Sequence, residues 1–275
     1  MLSRLGGILV LCLSVSFCAG PENGYTDTTT TPDTPAVDPG PEIPLGAVTG
    51  RIVNGDGEPL ANIKVLCCTS SICETGETLE DGSYIFEQLE VEPRKMQAAD
   101  LTKTYMELIF YQDVIADQMN TLSRDVVLTR RNDEPTTWLE DIGGTVSLAG
   151  GELELQAGPE SVDYPFGIFD ELIQGETMAG SILPPYGTEP WLDQMEQSFG
   201  YVFYPVHIIT HEPVSFVIRR DGLMDSGTIY RIWAVDPDDA ELIDSGTATV
   251  GDDGDLASDP DSTLTDLTTI ILIPE

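Results

Sequence analysis

From Gly46 to the C-terminus the apolar residues of this chain arrive in short runs. The runs are rich in β-branched and aromatic side chains, alternate with polar ones, and are broken by Asn-Gly, Asp-Gly and Gly-Gly pairs. Runs this short cannot carry the apolar stripe of a helix, but they give a strand one buried and one solvated face. Val48-Thr49-Gly50-Arg51-Ile52-Val53 and Tyr84-Ile85-Phe86 are examples. The expectation is an all-β protein made of two β-sandwich domains, at 46–131 and 138–275. A length of 275 residues suits two modest domains.

In the first of these, Val48–Val53 leads to the turn Asn54-Gly55-Asp56-Gly57. Pro59-Leu60-Ala61-Asn62 then enters a strand at Ile63–Cys67. Glu80-Asp81-Gly82-Ser83 signals a tight hairpin before Tyr84. Met106, Leu108 and Phe110 point inward from a later strand, and Asp125–Leu128 closes the unit. Asp56 and Asp81 read as turn-building residues. This order of strand, proline-bearing turn, strand and Asp-Gly hairpin resembles the carboxypeptidase-regulatory-like module, a small transthyretin-like β-sandwich. The resemblance implies a non-catalytic accessory fold and no particular ligand. The chain departs from that pattern at Val91-Glu92-Pro93-Arg94-Lys95, where the module has a glycine-rich turn.

Asp133-Glu134-Pro135 marks the junction with the second unit. Strands are expected at Thr145–Leu148, Leu153–Leu155, Tyr201–Tyr204, Val214–Ile218, Thr228–Trp233, Thr247–Val250 and Thr268–Ile271. Thr188 caps a predicted short helix on which Trp191, Met195 and Phe199 recur every four residues. Gly143–Val146, Leu153–Gln156 and Tyr204-Pro205-Val206 running into Pro213–Phe216 resemble the β-sandwich of ankyrins and netrin receptors.

The first 18 residues read as a targeting leader. Arg4 is followed by an apolar run from Leu5 to Phe17, about 13 residues, where a spanning helix needs roughly 20. Val15-Ser16-Phe17-Cys18 resembles a bacterial lipobox, which makes Cys18 the lipidated first residue of the mature chain. Phe17 departs from the small residue usual there, and ordinary secretion with cleavage nearby is the alternative. Ala19 after the cysteine implies an outer-membrane destination. Residues 19–45, rich in Thr, Pro and Asp, bury too little to order themselves and read as a disordered tether.

Twelve basic residues against 48 acidic ones give a net charge of −36. A surface of that sign makes nucleic acid and anionic lipid headgroups poor partners. It suits solubility, and it also suits a cationic partner.

Catalytic constellations are sparse. His207 and His211 are the two histidines, in a β-branched segment closed by Pro213. Four residues of strand span about 13 Å, too far for one metal. No Gly-x-Ser-x-Gly elbow or phosphate-cradling loop is present. Cys67, Cys68 and Cys73 remain after the leader. A hairpin over Thr69–Ile72 sets Cys68 opposite Cys73, so a Cys68–Cys73 disulfide is expected with Cys67 on the other face; Cys67–Cys73 pairing is the alternative. A soft metal at the three lacks a fourth ligand.

Asp236, Asp238, Asp239 and Glu241 form one acidic cluster. Asp252, Asp253, Asp255, Asp259 and Asp261 form a second, the better candidate for calcium, though solvated turns use the same residues. No other cofactor is expected. Tyr186, Trp191 and Tyr201 are candidate contact aromatics. These features point to a non-catalytic cell-envelope lipoprotein that binds a polysaccharide or protein partner and sits on the membrane through its lipid. The alternatives are a hydrolase with a carboxylate pair in the C-terminal unit and a calcium-stabilised spacer.

Overall fold

A computed structural model of the chain describes residues 44–131, 136–138, 141–164, 172–177, 198–223 and 225–275. The expected leader, Cys18 and nearly all of the tether lie outside these residues. Among the described residues no helix is long and apolar enough to cross a membrane. The chain is all-β, with one short 3-10 turn at Ala149–Gly151.

The first half comprises β1 (Leu45–Asn54), β2 (Lys64–Cys68), β3 (Cys73–Glu77), β4 (Ser83–Glu90), β5 (Arg94–Ala99), β6 (Leu108–Gln112), β7 (Met119–Thr121) and β8 (Val126–Leu128). In β1 every second residue from Gly46 to Ile52 is buried, the period that the sequence carries. β4 pairs with one edge of β1 in antiparallel fashion. β7 and β8 lie one after the other along its opposite edge, both parallel to it. The second sheet has the order β3-β2-β5-β6. Val48, Ile52, Val65, Phe86, Met96 and Phe110 meet between the sheets in one core.

Two glycines are required by this packing. At Gly50 a Cβ would overlap the Tyr84 hydroxyl, and that hydroxyl donates to the buried Gln112 Oε1 at 3.2 Å. Gly82, at φ 79°, turns the hairpin into β4, while Asp81 Oδ1 accepts from the Ser83 N–H and hydroxyl at 3.0 and 2.6 Å. In the earlier turn the organising side chain is Asn54, not Asp56. Its Oδ1 accepts from the N–H groups of Asp56 and Glu58.

The second half comprises β9 (Thr136–Thr137), β10 (Gly144–Leu148), β11 (Leu153–Ala157), β12 (Val162–Asp163), β13 (Leu172–Thr177), β14 (Phe199–Tyr204), β15 (Ile208–Thr210), β16 (Ser215–Ile218), β17 (Ile229–Val235), β18 (Leu242–Val250), β19 (Leu256–Ser258), β20 (Asp266–Leu267) and β21 (Thr269–Pro274). Ten of them make one sheet, in the order β10-β11-β16-β19-β18-β17-β21-β14-β13-β9. Its two ends come back together, where the Thr136 hydroxyl donates to the Ser147 carbonyl at 3.4 Å. The smaller sheet β12-β15-β20 adds Val162, Ile208 and Leu267 to the core that the large sheet wraps, beside Trp138, Phe203, Phe216 and Ile232. The helix expected from Thr188 lies outside the described residues as far as 197. Phe199, its last apolar position, is instead the first residue of β14.

The two halves belong to one compact unit, Ile43–Glu275. β6 shows why. Its inward alternation was expected to leave one face wet, yet all five residues are buried. Leu108 and Phe110 serve the first core, while Ile109 and Tyr111 pack on Val235 and Ala240 of the second half. Burying an isoleucine this way stabilises by about 2 kcal/mol.

Candidate binding site at the junction of the two halves

The junction is stitched by polar contacts around that apolar seam. Lys95 Nζ donates to the Pro237 carbonyl at 2.7 Å. The Arg131 guanidinium lies 3.7 Å over the centroid of the Tyr204 ring, and its Nε donates to Gln174 Oε1 at 2.6 Å. The Arg131 backbone N–H donates to the Thr104 carbonyl. One side chain thus ties a loop of the first half to two strands of the second.

Beside this seam a groove of about 310 Å³ opens, lined from the first half by Lys95, Gln97, Glu107 and Ile109. The second half supplies Tyr204, Pro205, Val206, His207, Pro237 and Asp238. Tyr204 to His207, with a cis Tyr204–Pro205 bond and a left-handed His207 at φ 69°, form one wall. Glu107 Oε2 accepts from Gln97 Nε2 at 3.0 Å, its one hydrogen bond among the described residues. Burial pushes the Glu107 carboxyl above its ordinary value, against the Gln97 bond and the charges of Arg131 and Lys103. Behind the groove Asp266 is also raised by burial, with His207 Nε2 at 3.6 Å acting against the shift. Sites between two packed units are common places for ligands.

A larger, open cleft of about 750 Å³ is lined by Glu152, Arg219, Arg220, Asp221, Asp253, Gly254 and Asp255. Its two arginines are already paired. Arg219 meets Glu154 and Asp255, each at 3.1 Å, and Arg220 meets Glu152 at 3.1 Å. Glu152 also accepts the Tyr201 hydroxyl at 2.5 Å.

The remaining residues singled out in the sequence disperse. Cys68 and Cys73, directly opposite in β2 and β3, are joined with an S–S distance of 2.06 Å. Cys67 points into the first core, where burial pushes its thiol up to about 11. The five aspartates of the calcium cluster do not converge. Asp252 accepts from the Ser226 hydroxyl, Asp253 from the Asp255 N–H, and Asp255 pairs with Arg219. Asp259 takes the hydroxyls of Thr247 and Thr249, and Asp261 stands exposed in the next turn. Asp236 and Asp239 accept backbone N–H groups of Asp238 and Glu241 in the turn before β18. His207 faces Asp266, whereas His211 pairs with Asp163 at 2.9 Å. Among the described residues no three His, Cys, Asp or Glu side chains gather as a metal requires.

Tyr201, expected as a contact aromatic, is fully buried, because its side chain on β14 belongs to the core of the second half. Tyr186 and Trp191 lie outside the described residues. The groove residues Gln97, Glu107 and Asp238 carried no spacing signal as a set, since they come together only when the halves dock.

No family model matches the chain, and no curated protein matches it. Solved structures similar to it include the Bacillus anthracis TIE protein, at 9% identity over 78% of this chain and 43% of that one, TM-score 0.29. The chain therefore spans less than half of that protein's length. The full-length major pilin SpaD of Corynebacterium diphtheriae shares 11% identity over 84% of this chain and 86% of its own, TM-score 0.29. A DUF3823 family protein of Parabacteroides merdae shares 9% over 85% and 99%, TM-score 0.24. Likenesses this loose go no further than the all-β make-up the chain already displays.

Proposed function

We propose that this chain is an exported bacterial envelope lipoprotein whose β head is a structural or adhesive binding module and not a catalyst. In this reading the head comprises two β-sandwich domains, 46–131 and 138–275, the first of the carboxypeptidase-regulatory-like type, carried on a tether behind a lipidated Cys18. The observation that carries the proposal is the Cys68–Cys73 bridge downstream of a leader-like N-terminus. Disulfides form and persist in oxidising compartments, and leaders deliver chains there. The fate of the acidic side chains supports a passive role. Glu152, Asp163, Asp255 and Asp259 are held in structural bonds to Tyr201, His211, Arg219 and threonines.

The anchor is tested by metabolic labelling with a fatty-acid probe. Label is expected on the intact chain and lost in Cys18→Ser; label that survives the substitution overturns lipidation at that cysteine. Export is tested by alkylating the intact cell-derived protein before and after reduction. Cys68 and Cys73 should become reactive only after reduction, and thiols free from the start would place the chain in a reducing compartment.

A further inference from the structure

We infer that the groove between the two halves is a site for one uncharged, polyhydroxylated sugar ring of a larger glycan. The inference rests on the binding reading above and names its ligand class.

Three properties of the groove lead there. The first is an excess of hydrogen-bonding capacity held at fixed positions. Gln97 Nε2 is spent on Glu107 Oε2, which leaves Gln97 Oε1 and Glu107 Oε1 as acceptors without a bond among the described residues. Lys95 Nζ is pinned by one bond to the Pro237 carbonyl and keeps two N–H groups to donate. Glu107 is part-buried at the groove wall, so its free oxygen is an acceptor open to a ligand that brings a donor. A sugar hydroxyl both donates and accepts, so it serves the acceptors and the ammonium alike.

The second property is the apolar backing. Ile109, Val206 and Pro237 stand among these polar groups, matching the C–H faces of a pyranose as the polar atoms match its rim. A cavity of about 310 Å³ admits a ring and leaves its neighbours in the glycan outside.

The third is charge. Lys95 and Asp238 line the groove with Glu107, and Arg131 acts on Glu107 from behind. The groove thus carries both signs side by side on a chain of net charge −36. An anionic glycan is repelled by the whole molecule, and a polycation is drawn to acidic surface everywhere in preference to this groove. An uncharged ligand is indifferent to that field and gains from the convergent hydrogen bonds.

The test uses the full-length protein, purified in detergent, on an array of neutral glucans, mannans and galactans. Uronic and sulfated glycans and oligolysine are printed beside them. Retention on at least one neutral glycan is expected, weakened about ten-fold by Gln97→Ala and by Glu107→Ala, with thermal unfolding confirming a folded head. Glu107→Gln keeps the side-chain shape and covers the case in which truncation unfolds the protein; it should weaken binding as well, since an amide replaces the charged acceptor. Neutral-glycan binding that all three substitutions leave unchanged overturns the site while the binder reading stands. Binding confined to the charged probes, or to none, overturns the ligand class. Reducing ends released from a bound glycan would sink the non-catalytic reading without touching the location of the site.

Discussion

Asp100 and Glu107 flank one loop, seven residues apart, and the protein treats their carboxyls in opposite ways. Asp100 is 8% exposed and fully engaged. Its oxygens accept from the N–H groups of Thr102, Thr104 and Tyr105 and from the Thr102 hydroxyl, at 2.8 to 3.1 Å. Burial works against its charged form, but those bonds together outweigh it and hold the carboxyl below the usual range. Glu107 has burial with a single bond, from Gln97, and its carboxyl is raised. Loss of water is common to both, so partners decide the sign. A satisfied carboxylate builds the loop; an under-satisfied one facing a groove is left for something else to complete.

The sharpest way to break this comparison is Asp100→Ala, which leaves the loop N–H groups without their acceptor. A loss of about 3 kcal/mol is expected by denaturant titration, with glycan binding at the junction kept. A loss well below 1 kcal/mol would show that water replaces the carboxylate and that its bonds are incidental. Glu152 is a control of the satisfied kind, since it accepts from both Tyr201 and Arg220. Tyr201→Phe removes one donor and keeps the other, so about 1 kcal/mol should go.

Glu107→Gln should have the smallest effect and the opposite sign. At neutral pH it relieves a buried charge, and the amide oxygen still accepts from Gln97, so a slight rise in melting temperature is expected. The pH dependence separates the two groups further. Asp100 has a folded pKa below its unfolded one, so its contribution is complete above the unfolded value and disappears as pH falls through the folded one. For Glu107 the folded pKa lies above the unfolded one, so the native state binds the proton more tightly. Its penalty is absent in acid and grows as pH rises towards the folded value. The Asp100→Ala and wild-type stabilities should therefore converge on acidification, and the advantage of Glu107→Gln should vanish over the same direction of change. Curves that stay parallel would refute the assignment.

Strands with one wet face were legible in the sequence because their period of two survives in it, as in β1, β4, β10, β11 and β17. β5 was not. Arg-Lys-Met-Gln-Ala-Ala opens on an arginine that is 2% exposed, and nothing in that string announces a central strand. The missing glycine-rich turn at Val91–Lys95 hid it further, although the chain still crosses there to the second sheet and starts β5 at Arg94. β6 was visible as a strand, but its second buried face depends on Val235 and Ala240, more than a hundred residues away. The groove has the same origin. His207 drew notice only for its spacing of four from His211, too long in a strand for one metal, and its neighbours are Asp266 and the groove. Residues gathered by docking leave no local spacing to read.

The place of β1 has a mechanical consequence. β1, which begins at Leu45, is the inner strand of its sheet, held by β4 along one edge and by β7 and β8 along the other. Ladder bonds run across a strand, so tension arriving from the N-terminal side in line with β1 strains many of them sideways at once. A terminal strand at a sheet's edge would peel away one bond after another. If the chain is held from its N-terminal side, as proposed above, drag on the head would be met by a strand paired along both edges.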